Sequence, residues 1–360
     1  MKVFHLPYNM ASFMSETTQG LEAIGVETRA LCVHPPHIGI KSSSITHVFT
    51  DKDMSFLQRV KSRIAKYYLI LRNIFWADIV HYYWNSDILS KNLDLKLIVW
   101  LNKPVVIEWV GSDIRNPDIE VKENQKYAEA LLRKNSKYIK LESALRSKQI
   151  QQKFHDIGAI PVLCTDMISY LDLNLFPVYF RVFQRLTVSN YKSMPPSPLV
   201  KRPVIVHAST DFVAKGTFSI KRIINELKQI YDFEFKLVAR ESRENLQRII
   251  SDCDIYIDQI ICGAHGLAAV EAMAMGKPVI TYIKKSLIGK YPADLPIVNA
   301  NDDNLYEVLE KLIVDSNLRH QIGLNSRAYA EKYHDTEKVA IKFKQIYQEV
   351  INMKQRANTQ

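Results

Sequence analysis

At 360 residues, with 47% hydrophobic and 24% charged residues, the chain has the composition of a globular protein and the length for two ordinary domains, which excludes a disordered or low-complexity polypeptide. Basic residues exceed acidic ones by 48 to 38, a formal net charge of +10; no nucleic-acid-binding motif accompanies the excess, so an anionic membrane surface is the expected partner before nucleic acid. Four cysteines, Cys32, Cys164, Cys253 and Cys262, stand singly, which excludes a metal-ligand spacing or a redox pair and reads as the reduced core thiols of a cytosolic protein.

The apolar run 2–6 reads as a first strand entered almost at once, so no signal peptide is expected. No apolar run is long enough to cross a bilayer. The loop 7–15 then leads into a helix over 15–24, and its Asn9 and Ser12 are expected at the carboxyl end of the strand, facing the interdomain cleft. The competing expectation is that Ser12 or Ser15 caps that helix. After a strand over 27–33, a helix over 54–75 carries Phe56, Val60, Ile64, Tyr68 and Leu71 at helical spacing among Arg59, Lys61, Arg63, Lys66 and Arg72. Its apolar face is expected to pack on the sheet, leaving the basic residues to solvent or to an anionic membrane.

Strands follow over 79–83 and 104–110, the second ending in Gly111-Ser112-Asp113. There Asp113 is placed to orient a ligand hydroxyl or act as a base, or else to cap a turn. A helix over 127–133 and a strand over 161–164 complete an alternation that predicts a doubly wound parallel sheet. The stretch 189–203 holds Pro195, Pro196, Pro198 and Pro203 and reads as the interdomain linker. This gives an N-terminal domain over 1–190, a linker over 191–203, a second domain over 204–335 and a final helical segment over 336–360.

In the second half, strands are expected over 204–207, 235–239, 255–260 and 279–283. The first is followed by Thr210, then Lys215-Gly216 and a helical pattern over 218–227. The third ends in Asp258 and Gln259, placed for ligand contact or for satisfying nearby backbone groups, and runs into Gly263-Ala264-His265-Gly266-Leu267. Small residues let a ligand approach the backbone, and the first amides of the following helix favour a phosphate. Glu271 lies in an otherwise apolar helical turn, where a carboxylate is costly unless it meets the vicinal hydroxyls of a ribose or pairs with a neighbouring Lys or Arg. The segment 336–353 is a helix with Val339, Phe343, Ile346, Tyr347 and Val350 on one face.

The run from Gly266-Leu267 through Glu271-Ala272-Met273-Ala274 to Gly276-Lys277-Pro278-Val279 resembles the donor-binding segment of retaining glycosyltransferases of the GT-B fold, especially family 4. The resemblance implies an α/β fold of two Rossmann-like domains with an interdomain cleft, and a C-terminal helix that returns to the first domain. It implies that Glu271 holds the nucleotide ribose, that the amides near Gly266 and Leu267 meet the diphosphate and donor sugar, and that Lys215 neutralises the diphosphate. The chain departs from the pattern at Gly263, where the family has the first Glu of its spaced pair, at His265 for an aromatic, at Thr210 for an Arg, and at Val110 for a His. Arg240 or Arg243, just after the strand 235–239, is the expected substitute for the missing cation.

The function implied is transfer of a sugar from a UDP- or GDP-linked donor to a hydroxyl of a glycan or lipid-linked acceptor. Retention of configuration, no metal and no further cofactor are expected, as is a place in polysaccharide or glycoconjugate biosynthesis at the cytoplasmic face of a membrane. The alternative is a non-catalytic GT-B subunit that binds a nucleotide or a partner protein. A nucleotide-sugar epimerase would share the fold, but no further acid–base cluster supports it.

Overall fold

The structure is a computed structural model that describes residues 1–35, 45–51, 53–85, 88–131, 142–239 and 241–359. Contacts divide the chain into two units, the first formed by Met1–Arg115, Ser143–Arg185 and Thr336–Gln360, the second by Asn116–Glu142 and Leu186–Asp335.

The first unit begins with β1 (Lys2–Leu6), α1 (Phe13–Ala23), β2 (Glu27–Cys32), β3 (Ile45–His47), α2 (Phe56–Trp76), β4 (Ile79–Tyr83), α3 (Leu93–Trp100) and β5 (Val105–Trp109). The chain then contributes α4 (Pro117–Glu123) and α5 (Gln125–Leu131) to the second unit, and returns through α6 (Ala144–His155), β6 (Ile160–Leu163) and β7 (Phe180–Arg181). The sheet order is β3-β2-β1-β4-β5-β6-β7, paired in parallel throughout. Every residue of β4 and β5 is buried, as expected for central strands covered on both faces. Of the helix expected over 127–133, α5 accounts for the part up to Leu131; 132 and 133 lie outside the described residues.

The second unit continues with β8 (Val204–Ala208), α7 (Thr217–Leu227), β9 (Glu234–Val238), α8 (Arg243–Ser251), β10 (Ile255–Ile257), α9 (Leu267–Ala274), β11 (Val279–Thr281), β12 (Val298–Asn299), α10 (Leu305–Val314) and α11 (Ser316–Tyr329). Its sheet order is β12-β11-β10-β8-β9, again parallel. Tyr127 and Ala130 of α5 share a core with Ile205, Ile220, Ile257 and Leu309, which is why residues 116–142 belong to this unit.

The last helix, α12 (Thr336–Thr359), belongs to the first unit, where Val339, Phe343, Ile346, Tyr347 and Val350 join Val3, Ile79 and Val106. Gly20 makes this possible: a Cβ there would lie 2.7 Å from Thr336 Cγ2 and 2.9 Å from Ala340 Cβ, so only a bare backbone lets α1 and α12 touch.

Two expectations change. The stretch 191–203, read as a linker, packs within the second unit: the amide of Met194 donates to Met275 O at 2.9 Å, Pro195 lies over Gly276, and Pro196 over Gly323. The boundary falls instead between Arg185 and Leu186. Its prolines signalled a rigid irregular segment, and such a segment serves equally well as a strap. The second change concerns α2, whose start is fixed by a capping box between Ser55 and Gln58. Its apolar stripe does not cover the sheet; Phe56 is 78%, Ile64 64% and Tyr68 60% exposed, and the buried residues are Ile70, Asn73 and Ile74.

Candidate functional site

In the second unit the strand order reverses between β8 and β10, and the loops leaving the carboxyl ends of those two strands carry Lys215 and the 263–266 run. Such a switch point is where open parallel sheets bind ligands.

The loop after β8 is built around Asp211, whose buried Oδ1 accepts the amides of Val213 at 3.1 Å and Ala214 at 3.0 Å. Lys215 follows, and Gly216 then adopts φ +76 to open α7. A Cβ on Gly216 would fall 2.4 Å from Ile260 Cγ1, so the two loops are in direct contact. The amide of Ile260 donates to Lys215 O at 3.2 Å and the Cys262 thiol to Ala214 O at 3.1 Å. Gly216→Ala is expected to cost about 2–4 kcal/mol, from the left-handed backbone and the steric overlap together, as measured by urea unfolding.

Asp258 follows β10 and is fully buried. Its Oδ1 accepts from the Lys215 ammonium at 2.6 Å and its Oδ2 from the Gly266 amide at 3.1 Å. Burial pushes the Asp258 carboxyl upward, but the Lys215 charge and these hydrogen bonds more than offset it and hold the pKa below the usual range. The Lys215 side chain is 19% exposed. Only one of its three ammonium protons is engaged among the described residues, so Asp258 fixes the cation from beneath and leaves it donors for a ligand. Gly266 caps α9, and the amides of Leu267 and Ala268, in its first turn, precede any carbonyl the helix can offer them.

Glu271 lies five residues beyond Gly266 along α9, about 7.5 Å by helical rise. Its Oε1 accepts from Arg243 Nη2 at 2.7 Å, Arg243 Nε at 3.1 Å and the Tyr191 hydroxyl at 2.9 Å. Gln247 Nε2 and Arg243 Nη2 in turn donate to the Tyr191 oxygen at 3.3 and 3.1 Å. No donor among the described residues reaches Oε2, and the Glu271 side chain retains 9% exposure. Both readings of Glu271 therefore meet in one residue: one oxygen pairs with a neighbouring Arg, and the other is open.

Several expected site residues stand differently. Arg243 holds Glu271 rather than standing in for the missing diphosphate cation, and Arg240 lies outside the described residues. Thr210 is exposed at the end of the loop before Asp211. Gly263 has φ +77, and a Cβ there would lie 3.0 Å from Lys284 Cβ. Any side chain there would be strained by the left-handed backbone and crowded by Lys284. Lys284, buried beneath it, donates to Glu120 and to Glu123, the latter at 2.9 Å, and gives its amide to Gly263 O at 2.9 Å. His265 is buried, its ring 5.0 Å from that of Tyr291 and 5.9 Å from that of His334. Gln259 donates to Ala264 O and so braces the loop.

In the first unit, Ser12 stands at the N-cap of α1 but its side chain makes no cap bond; Asn9 Oδ1 instead accepts the Ser15 amide at 3.1 Å, and the buried Ser12 lends its carbonyl to the Ser15 hydroxyl at 2.9 Å. Asp113 accepts the amides of Val110, Gly111 and Ile114 at 2.9, 2.8 and 3.0 Å. Burial pushes its pKa up to about 6 against the pull of these amides, and both oxygens are committed to shaping the turn. Among the described residues no group of three or more His, Cys, Asp or Glu side chains could hold a metal ion.

Sequence reasoning missed Tyr191, Lys284 and His207, none of which lies in a motif. His207, on β8, donates from Nδ1 to Ile257 O and accepts at Nε2 from the Thr217 hydroxyl, both at 2.9 Å. This is the neutral ring, and burial pushes its pKa down to about 4. The folded value lies below the unfolded one of about 6.5, so the stabilisation is complete above pH about 6.5 and is lost as pH falls through about 4, worth about 3 kcal/mol in full. Wild type and His207→Gln are expected to converge in urea stability on acidification.

Residues 206–329 match the model of the family described as glycosyl transferases group 1. No curated protein matches the chain. Among solved structures, a glycosyltransferase of Rickettsia africae is similar at a TM-score of 0.63 and 12% identity, over 97% of this chain and 98% of that one. Sucrose-phosphate synthase of Thermosynechococcus elongatus gives 0.62 and 13%, over 98% and 100%, and Anabaena HepE in complex with UDP and glucose gives 0.59 and 11%, over 96% and 99%. Residues 206–329 therefore carry the pattern of the glycosyl transferases group 1 family, in a chain with the GT-B fold.

Proposed function

We propose that the protein transfers a sugar from a nucleoside-diphosphate donor to an acceptor hydroxyl, and that the donor nucleotide binds the second unit at the β8/β10 switch point. One observation carries this reading: the Lys215 ammonium and the Gly266 amide converge on a single carboxylate, that of Asp258, while Glu271 keeps one oxygen open along the same helix. The diphosphate would sit over Lys215 and the amides of Leu267 and Ala268, with the ribose hydroxyls donating to Glu271 Oε2. As the glycosidic bond breaks, charge builds on the diphosphate, and the fixed Lys215 cation stabilises it without a metal or further cofactor. Retention of configuration and an acceptor from polysaccharide or glycoconjugate assembly complete the proposal. Anabaena HepE was solved with UDP and with UDP-glucose, which makes uridine donors the first to try.

The test is transfer from UDP- and GDP-sugars to glycan and lipid-linked acceptors, with the anomer of the product read by NMR. Nucleoside diphosphate released together with a glycosylated product supports the reading, and an inverted anomer removes retention from it. The glycine at 263, where the family has a carboxylate, favours a second reading, binding without turnover. Saturable nucleotide binding with no product from any donor would establish that one instead.

A further inference from the structure

The exposed face of α2 has no role in the donor site. Projected at 100° per residue, Phe56, Leu57, Val60, Ile64, Tyr68 and Phe75 fall within an arc of about 120°, and they are 78, 69, 39, 64, 60 and 56% exposed. Lys61 and Arg72 border the arc on one side, Arg59 and Arg63 on the other, and Lys66 lies beyond them. The helix contains no Asp or Glu. Among the described residues no carboxylate pairs with Lys61, Arg63, Lys66 or Arg72, although surface ion pairs are frequent elsewhere in the chain. Only the C-terminal part of the helix is anchored, through the buried Ile70, Asn73 and Ile74. Tyr67 of α2 and Ser90, in the turn before α3, share a hydroxyl hydrogen bond at 2.5 Å, and α3 leaves Val99 53% and Trp100 75% exposed. A monomer in water gains nothing from so long an apolar stripe.

We propose that α2 lies in the interface of an anionic lipid bilayer, its apolar arc buried among the acyl chains and its basic borders against the headgroups. The charge selects this occupant. An apolar stripe for a protein partner needs no bordering cations, whereas an interfacial helix gains on the order of fivefold in partitioning from each Lys or Arg near an anionic surface. Among the described residues no helix is long and apolar enough to cross a membrane, so contact here is lateral.

The experiment is vesicle flotation of the full chain, with phosphatidylcholine vesicles against phosphatidylcholine–phosphatidylglycerol vesicles, at low and high salt. Wild type is expected to float with the anionic vesicles only, and less at high salt. The variant Phe56→Ser/Ile64→Ser/Tyr68→Ser and the variant Lys61→Glu/Arg63→Glu/Lys66→Glu are each expected to lose at least on the order of tenfold in binding while unfolding at the wild-type temperature, because all six side chains lie outside the core. Failure of wild type to bind anionic vesicles overturns the proposal. So does full binding by the serine variant, or a serine variant that turns a dimer into a monomer without changing flotation, which would make the stripe a protein interface. Flotation needs no donor, so its outcome is independent of that of the transfer assay.

Discussion

Lys215→Ala is expected to lower kcat by about 10²–10³, the scale of removing one fixed donor from a developing anion. The same change leaves the Asp258 carboxylate buried with the Gly266 amide but no cation, and stripping one partner from a buried pair costs about 3–5 kcal/mol. Loss of activity alone would therefore be ambiguous. The double variant Lys215→Met/Asp258→Asn separates the causes, since it removes both charges and keeps an acceptor for Gly266. It is expected to recover most of the stability in urea unfolding and none of the activity. The pH dependence gives a second handle. Asp258 has a folded pKa below its unfolded one, so the pair stabilises above the ordinary carboxyl range, and that contribution is lost as pH falls through the depressed value. Recovery of activity in the double variant would make Lys215 a structural residue only.

Arg185→Met is expected to destabilise the first unit by about 3–5 kcal/mol. Arg185 and Glu108 are 1% and 0% exposed and form a bidentate pair, with Nη1 to Oε1 at 2.6 Å and Nη2 to Oε2 at 2.8 Å. Nη2 also donates to Phe13 O at 3.0 Å, and the guanidinium lies 4.6 Å from the Phe13 ring and 4.9 Å from that of Phe343. The arginine thus joins α1, β5 and α12 at the end of the first unit. Burial works against the Glu108 charge, and Arg185 with His81 more than offsets it. Without Arg185 the cost of burying the charge is opposed only by His81, so the Glu108 pKa is expected to rise and stability to fall with increasing pH, opposite to wild type. Replacing both residues, as Arg185→Met/Glu108→Leu, is expected to restore most of the loss, because two packed apolar side chains need no compensation. Urea unfolding across pH reads all three outcomes.

Neither of these pairs can be read from a motif, and the reason is sequence distance. Arg185 and Glu108 are 77 residues apart and Lys215 and Asp258 are 43 apart; the fold decides which charges meet. What could be read was local. The buried strands appear as apolar runs, and the order strand, loop, Gly266, helix, Gly276 announces the turn from β10 into α9. Glu271 stood out because a carboxylate in an apolar turn demands a partner, although the partner proved to be shared between Arg243, Tyr191 and an open oxygen. Gly263 looked like a simple loss of Glu; its positive φ and the Lys284 side chain beneath it show a backbone position that suits glycine. Helical spacing correctly gave α2 but not the direction of its apolar face. Periodicity defines a stripe and is silent on whether a sheet or a lipid surface covers it.

The central claim is that the second unit binds a nucleoside diphosphate across Lys215, the start of α9 and Glu271. Its most direct test is calorimetric titration of UDP, GDP and their sugar conjugates into the full chain, into Lys215→Met/Asp258→Asn and into Glu271→Gln. The account predicts saturable binding of one nucleotide to wild type, loss of that binding in the double variant, and weakening by on the order of tenfold or more in Glu271→Gln as the ribose loses a charged acceptor. Absence of binding by every nucleotide, or equal binding to all three proteins, would contradict it.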